Sequence, residues 1–406
     1  MEKAKNRTVN LLLNIFIFYG IIYTIIDPLI PLISEKLKIG YDKIGLILLL
    51  ASVASLLSTF ISGKLCDRYS IKRIILIGLI ALLGGFVLYS IYLNLIFFIL
   101  TVVLFRIGWG ILDAGVHTYA SQLFYKNHSP LFIKLDFFWY IGAIIGPIVI
   151  SAMLFLKIDT KYAFIFFAVL FLAVIIFFWK LCPQLFVKKI EETESFECVQ
   201  DSVKKEKKTL YILKNPIILF TCISLFLYIG ILSGLSVWLT TYFTFLNIPV
   251  SFGSVLLSFF WVFSALGVFF AGKLITRSNE ISLLVVGSIV GAASTVLYTF
   301  LPLVYLKIVF LMLLAFCYAS FFPLLIALAV HENPGASGSI LGTIISAAIT
   351  GTIIFQPLIG YMAQYFGKAT INYVIFIAAV IEIPVVIVLF KLLNKKYNTR
   401  VEFFRK

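Results

Sequence analysis

Arg106, Asp113 and His117 fall within the stretch FRIGWGILDAGVH, which follows the aliphatic run NLIFFILTVVL. Their types set the chemistry. An arginine stays protonated and fixes anions, whereas a desolvated aspartate and a histidine one helical turn away can hold and pass a proton. At about 100° per residue, positions 106, 110, 113 and 117 return to within roughly 40° of one line, so Arg106, Gly110, Asp113 and His117 make a polar stripe about 16 Å long on one helix. A charged group at bilayer depth costs at least ~2.5 kcal/mol on insertion scales, so the stripe is expected to face a wet cavity or charged partners. Asp27, in IIYTIIDPLIPLI, and Glu382, in AVIEIPVVI, are further carboxylates inside apolar runs. Enzymatic catalysis is not expected, because nowhere can a nucleophile, a base and an orienting group be set together. No cofactor is expected either: GVFFAGKL, Gly267 to Leu274, has the glycine spacing of a phosphate loop but lacks the Ser or Thr that must follow its lysine and the strand that must precede it.

The elements that position these residues must be membrane helices. The 406-residue chain is 62% hydrophobic, 16% aromatic and 13% charged, with a mean hydropathy of +1.09, outside the range of soluble globular chains. Apolar runs fall at about 11–34, 44–66, 73–91, 95–124, 132–156, 162–182, 214–245, 252–275, 281–301, 305–330, 338–364 and 371–394. Each is long enough to cross a bilayer as a helix. The fold class is therefore all-α and polytopic: residues 1–186 and 211–406 carry six spans each, and 187–210 is a cytoplasmic linker of mixed charge with no apolar face. The basic start MEKAKNRTVN leads into a run of full membrane length without a small-residue cleavage site, so it is expected to be a tail rather than a signal peptide.

Lys and Arg number 33 against 18 Asp and Glu, a net charge of +15. In a soluble protein that balance would raise nucleic acid as a partner; here the basic residues cluster in loops on the linker's side, among them Lys64, Arg68, Lys72, Arg73, Lys126, Lys273 and Arg277. The positive-inside rule then puts the linker and both termini in the cytoplasm. The cysteines Cys66, Cys182, Cys198, Cys222 and Cys317 have no metal-ligand spacing and read as free thiols, so no metal is expected.

Depth suggests partners for the stripe. With span 4 centred near Gly110, Arg106 lies about 6 Å outside the midplane and Asp113 about 5 Å inside it, while Asp27 on span 1 is level with Arg106. An ion pair between Asp27 and Arg106 is the expectation, with Asp113 left to load and unload a proton through His117. The alternative is a triad of Asp27, Arg106 and Asp113 that only fastens spans 1 and 4 together.

The halves repeat. ISGKLCDRYSIKRIILIG and FAGKLITRSNEISLLVVG align at a shift of 209, pairing Gly63 with Gly272, Lys64 with Lys273, Arg68 with Arg277 and Gly78 with Gly287, and Tyr19 with Tyr228 keeps the same shift. The first of these segments resembles the loop 2–3 signature of the major facilitator superfamily, G-x-L-x-D-R-x-G-R-K, at Gly63, Leu65, Asp67, Arg68 and Lys72, with Ser70 and Ile71 departing from it. The likeness covers the whole chain and implies two pseudo-symmetric six-helix bundles. It further implies a cytoplasmic latch formed by Gly63, Asp67, Arg68, Lys72, Arg73, Gly272 and Arg277, in which the glycines let helices approach closely and the charges form ion pairs.

Two groups within that superfamily compete at span 4. GWGILDAGVH is similar to the pattern of fucose permease-like sugar symporters at Gly108, Gly110 and Asp113, with His117 in place of an asparagine, which implies a sugar- and proton-handling pair at Asp27 and Asp113. Arg106 and Gly110 also satisfy the R-x-x-x-G of drug:proton antiporters. A pocket is expected from Trp109, Trp139, Tyr140, Ser236, Trp238, Tyr318 and Gln356, Ser236 being the repeat equivalent of Asp27. The expectation is a monomeric secondary transporter of the cell membrane that moves a small solute, a sugar or similar polar compound, by proton- or cation-coupled symport. Efflux by antiport is the alternative, and a sensor without flux a more remote one.

Overall fold

The computed structural model describes residues 2–66, 68–91, 94–123, 129–182, 214–274, 280–332 and 337–403. The 187–210 linker, Asp67 and Arg277 thus lie outside the described residues. Among the described residues, twelve helical segments are long and apolar enough to cross a membrane: Arg7–Leu37, Tyr41–Cys66, Ile71–Ile91, Leu95–Tyr119, Lys134–Phe155, Lys161–Leu181, Pro216–Phe245, Val250–Leu274, Ser282–Phe300, Val304–Ala329, Gly342–Tyr365 and Thr370–Asn394, here spans 1 to 12. Lipid offers the backbone no hydrogen bonds, so each crossing satisfies its own amides as a helix. Large apolar side chains such as Ile96, Phe155 and Phe366 stand exposed on the outside, as lipid-solvated surfaces do.

Two spans are broken. In span 1 the helix Glu2–Thr24 stops, a single 3-10 turn covers Asp27–Leu29, and a second helix runs Ile30–Leu37. Pro28 has no N–H to give to the Thr24 carbonyl four residues earlier, so the α-helix stops at Thr24 and the chain resumes through the 3-10 turn that Asp27 opens. Span 10 stops at Tyr318 and restarts at Phe321, just ahead of Pro323.

The chain folds into two compact units. The first holds residues 1–193 together with Ser236–Trp261 and Gly360–Lys368; the second holds 194–235, 262–359 and 369–406. Spans 7, 8 and 11 are therefore shared along their length. Within the first unit span 4 packs on spans 2 and 3, span 1 on span 5, and span 3 on span 6; within the second, span 9 packs on spans 10 and 12.

The repeat read from the sequence reappears in the geometry at the same shift of 209. Spans 1 and 7 both end at a left-handed residue, Lys38 (φ 52°) and Asn247 (φ 61°), and the next amides close matching caps, Ile39 N to Ser34 O at 3.1 Å and Ile248 N to Phe243 O at 3.0 Å. A Cβ added at Gly142 would lie 1.9 Å from the Ile17 carbonyl oxygen, and one at Gly351 2.3 Å from that of Phe226. At these crossings of span 1 by span 5 and span 7 by span 11 the glycine lets one helix rest directly on the backbone of the other. Even the basic ends match: Lys64 lies 4.3 Å over the Phe60 ring, Lys273 4.4 Å over Phe269.

Candidate functional site

In the first unit the stripe on span 4 is narrower than the helical wheel suggests. Arg106, Asp113 and His117 are half-buried, but Gly110 is packed on span 2, where a Cβ would meet Ser58 Oγ at 2.2 Å and the Ser55 carbonyl at 2.4 Å. Gly110 is thus a contact point rather than a member of a wet face. On the other flank Trp109 stacks on Tyr19 of span 1 at 4.9 Å and 6°, and the Tyr19 hydroxyl donates to Asp113 Oδ1 at 3.2 Å. His117 Nδ1 lies 2.7 Å from the Asp113 carbonyl and 3.7 Å from Asp113 Oδ1. A carbonyl can only accept, so in this contact Nδ1 carries a hydrogen. Tyr19, Asp113 and His117 form one connected chain.

The ion pair expected between Asp27 and Arg106 is not formed: among the described residues no contact within 4.0 Å joins them. Asp27 is 4% exposed and accepts a hydrogen bond from Ser236 Oγ at 2.5 Å. The turn at Pro28 re-aims the carboxylate toward span 7, and its partner is its own repeat equivalent. Arg106 instead sets its guanidinium 5.0 Å over the ring of Tyr23, a contact worth about 0.5–2 kcal/mol depending on desolvation.

Tyr23 begins an aromatic wall. Its ring meets Trp139 at 5.5 Å and Trp261 at 6.0 Å; Trp139 and Trp261 cross at 5.2 Å and 90°, and Tyr140 lies edge-on to Trp139 and tilted against Trp261. Span 8 is held beside span 5 by Ser258 Oγ donating to the Ile144 carbonyl at 3.0 Å and Ser151 Oγ donating to the Ser251 carbonyl at 2.7 Å. The indole N–H groups of Trp109 and Trp261 are buried and meet no acceptor among the described residues. Buried donors of this kind are places where a bound solute gains hydrogen bonds.

Of the residues expected from the sequence, Asp27, Arg106, Trp109, Asp113, His117, Trp139, Tyr140 and Ser236 share this unit. Trp238 shares it too but is used for packing, fully buried, with its ring near 2.8 Å from where a Cβ on Gly360 would be and edge-on to Tyr41 at 5.8 Å. Tyr318 and the fully buried Gln356 belong to the second unit. Tyr318 stacks on Tyr228 at 6.3 Å and 8°, the counterpart of Trp109 on Tyr19. Sequence reasoning missed Tyr23 and gave Tyr19 no role at the site. Positions 19, 23 and 27 recur every four residues, and that spacing was the available signal.

The loop signature behaves differently from expectation. Among the described residues a Cβ at Gly63 or Gly272 would meet nothing within 4 Å, so neither glycine serves a close approach to a described helix. Lys72 Nζ donates to the carbonyls of Trp179 and Cys182, both at 2.5 Å, capping the C-terminal end of span 6. Arg68 and Arg73 are exposed. We expect Gly63→Ala and Gly272→Ala to leave the melting temperature unchanged, and Lys72→Met to lower it by a few degrees by uncapping span 6; differential scanning fluorimetry of the three purified variants checks both.

Comparison with known proteins fits this architecture. Residues 12–338 match the family model of the Major Facilitator Superfamily. A curated relative, the TsgA homolog of Buchnera aphidicola subsp. Schizaphis graminum, is 23% identical over 364 residues, covering 86% of this chain and 88% of that one. Among solved structures, a mutant of the nucleoside transporter NupG superposes with a TM-score of 0.78 at 15% identity over 95% of this chain and all of that one. A bacterial homolog of the human lysosomal transporter Spinster gives 0.74 at 10% identity over 96% of each. With a family model matching most of its length, and twelve membrane-spanning helices that repeat at a fixed shift, the chain belongs to the major facilitator superfamily.

Proposed function

We propose that the protein is a proton-coupled secondary transporter that carries a small polar, ring-shaped solute, a sugar in the first instance, across the cell membrane by alternating access. It would act as a monomer with both termini in the cytoplasm. The observation that carries the reading is the position of Tyr19: its hydroxyl bonds Asp113 and its ring face covers Trp109. A proton arriving at Asp113 removes the charge that the hydroxyl serves, so the load on the carboxyl is felt at once by the aromatic wall on which a sugar or nucleoside ring would stack. His117 delivers or removes that proton through Nε2. Arg106, held by Tyr23, stays charged throughout and orients an acceptor on the solute, while Asp27 and Ser236 form a second polar point. Of the charged loop, exposed Arg68 and Arg73 are left for the cytoplasmic latch, because Lys72 is held by the end of span 6.

A second reading, export of a lipophilic cation in exchange for protons, is favoured by the Tyr23, Trp139, Tyr140 and Trp261 cluster, which is apolar apart from its rims. One experiment separates the two. A ligand present at about 100 times its Kd stabilises the folded state by about 2.7 kcal/mol, a plain rise in melting temperature. Purified protein screened against monosaccharides, nucleosides and cationic dyes is expected to be stabilised by a neutral ring solute, and the Trp109→Ala variant is expected to lose that shift. Stabilisation by the dyes alone would sink the symport reading.

A further inference from the structure

The second unit contains a carboxyl group for which the reading above has no use. Glu382 lies at the centre of span 12, twelve residues from either end of Thr370–Asn394, and is fully buried. Ser224 Oγ of span 7 donates to its Oε1. Its Oε2 meets no partner among the described residues, and the same is true of the hydroxyl of Tyr318, itself 1% exposed. Tyr228, one turn along span 7 from Ser224, stacks on the Tyr318 ring at 6.3 Å, so Glu382 and Tyr318 are both held by the same face of span 7.

The charged and titratable neighbours are few. Span 7 contributes Cys222 and Tyr228 besides Ser224; span 10 contributes Tyr318 and Cys317; span 9, packed along span 12, contributes Tyr298 among its described side chains. Span 12 itself adds Tyr373 and Lys391, nine residues away in either direction and so about 13 Å along the helix. Lys307 of span 10 is spent on the carbonyls of Tyr298 and Thr299 at 2.9 and 2.8 Å. Among the described residues a carboxylate at this position would face no cation and only one donor, whereas a carboxylic acid fits: Ser224 holds Oε1 and the proton sits on Oε2.

We propose that Glu382 is a proton-binding site of the second unit, occupied in this structure and emptied elsewhere in the cycle, with Tyr318 as the group that answers its charge. The first unit shows the made form of this bond. There the stack of Tyr19 on Trp109 has its hydroxyl on Asp113; here the equivalent stack of Tyr228 on Tyr318 lies beside a carboxyl whose second oxygen is unmet. When the proton leaves, Oε2 becomes an acceptor and the Tyr318 hydroxyl is the available donor, so unloading Glu382 pulls on the break that separates the two helices of span 10. A permanent strut would leave neither group unmet. The site is independent of whether Asp113 carries a proton.

Infrared spectroscopy of the purified protein in lipid nanodiscs, followed through a pH titration, tests this without a transport substrate. The wild type is expected to show a carboxylic-acid C=O band at neutral pH that E382Q lacks, that D113N retains, and that disappears as the pH is raised. S224A, which keeps the acid but removes its donor, is expected to move that band to higher frequency, and this variant decides alone if E382Q does not fold. Identical wild-type and E382Q spectra, a Glu382 band that never titrates before unfolding, or an S224A band that does not move would each overturn the proposal.

Discussion

Replacing Asp113 by Asn will abolish accumulation of solute against a gradient while leaving solute-for-solute exchange intact. The argument rests on what Asn keeps and loses. Its side-chain oxygen can still accept from Tyr19, so the 3.2 Å hydrogen bond, the stack on Trp109 and the packing of span 1 on span 4 survive. What goes is the proton. One charge moved through 100 mV is worth about 2.3 kcal/mol, roughly a 50-fold concentration ratio; an uncoupled variant collapses to a ratio of about 1, since nothing remains to drive accumulation. Tyr19→Phe should behave in the opposite way, keeping the proton but cutting its link to the wall, so that accumulation is weakened and solute affinity no longer varies with pH. Uptake into proteoliposomes with and without an imposed pH gradient, paired with counterflow, reads both. If the Asn variant still concentrates solute, Asp113 is a strut and the coupling group must be sought at Asp27.

The sequence carried the polar stripe of span 4 because a period of 3.6 can be counted without knowing any neighbour, and it carried the repeat because a shift of 209 recurs in side-chain identity. It could not carry the partner of Asp27. Depth alone placed Asp27 level with Arg106, but the partner depends on where the chain turns at Pro28, and the turn sends the carboxylate to Ser236. The fate of Gly110 was hidden for a related reason: whether a glycine on a polar face borders water or another helix is decided by Ser55 and Ser58 on span 2. Ser236 shows the reverse. The repeat shift alone singled it out as the equivalent of Asp27, and the two residues turn out to touch.

The second large effect is expected where the site is aimed rather than where it is charged. A Cβ at Gly142 would lie 1.9 Å from the carbonyl oxygen of Ile17 and 2.9 Å from the amide of Ile21, and one at Gly20 would lie 2.0 Å from the carbonyl of Trp139. Overpacking a core costs about 1–3 kcal/mol where side chains can give way. Here the obstacle is backbone that already belongs to two hydrogen-bonded helices, so spans 1 and 5 must separate along their whole contact. Gly142→Val is expected to yield little folded protein and Gly142→Ala to lower the melting temperature steeply, with Gly351→Ala close behind because its Cβ would meet Phe226 O at 2.3 Å. Gly63→Ala, where nothing lies within 4 Å, is the control. The aromatic wall is tied to this crossing through Trp139, whose carbonyl rests on Gly20 and whose ring reaches Tyr23 at 5.5 Å. A Gly142→Ala variant that melts like the wild type would mean that spans 1 and 5 do not approach this closely, and the aromatic wall in front of Arg106 would lose the contact that sets it.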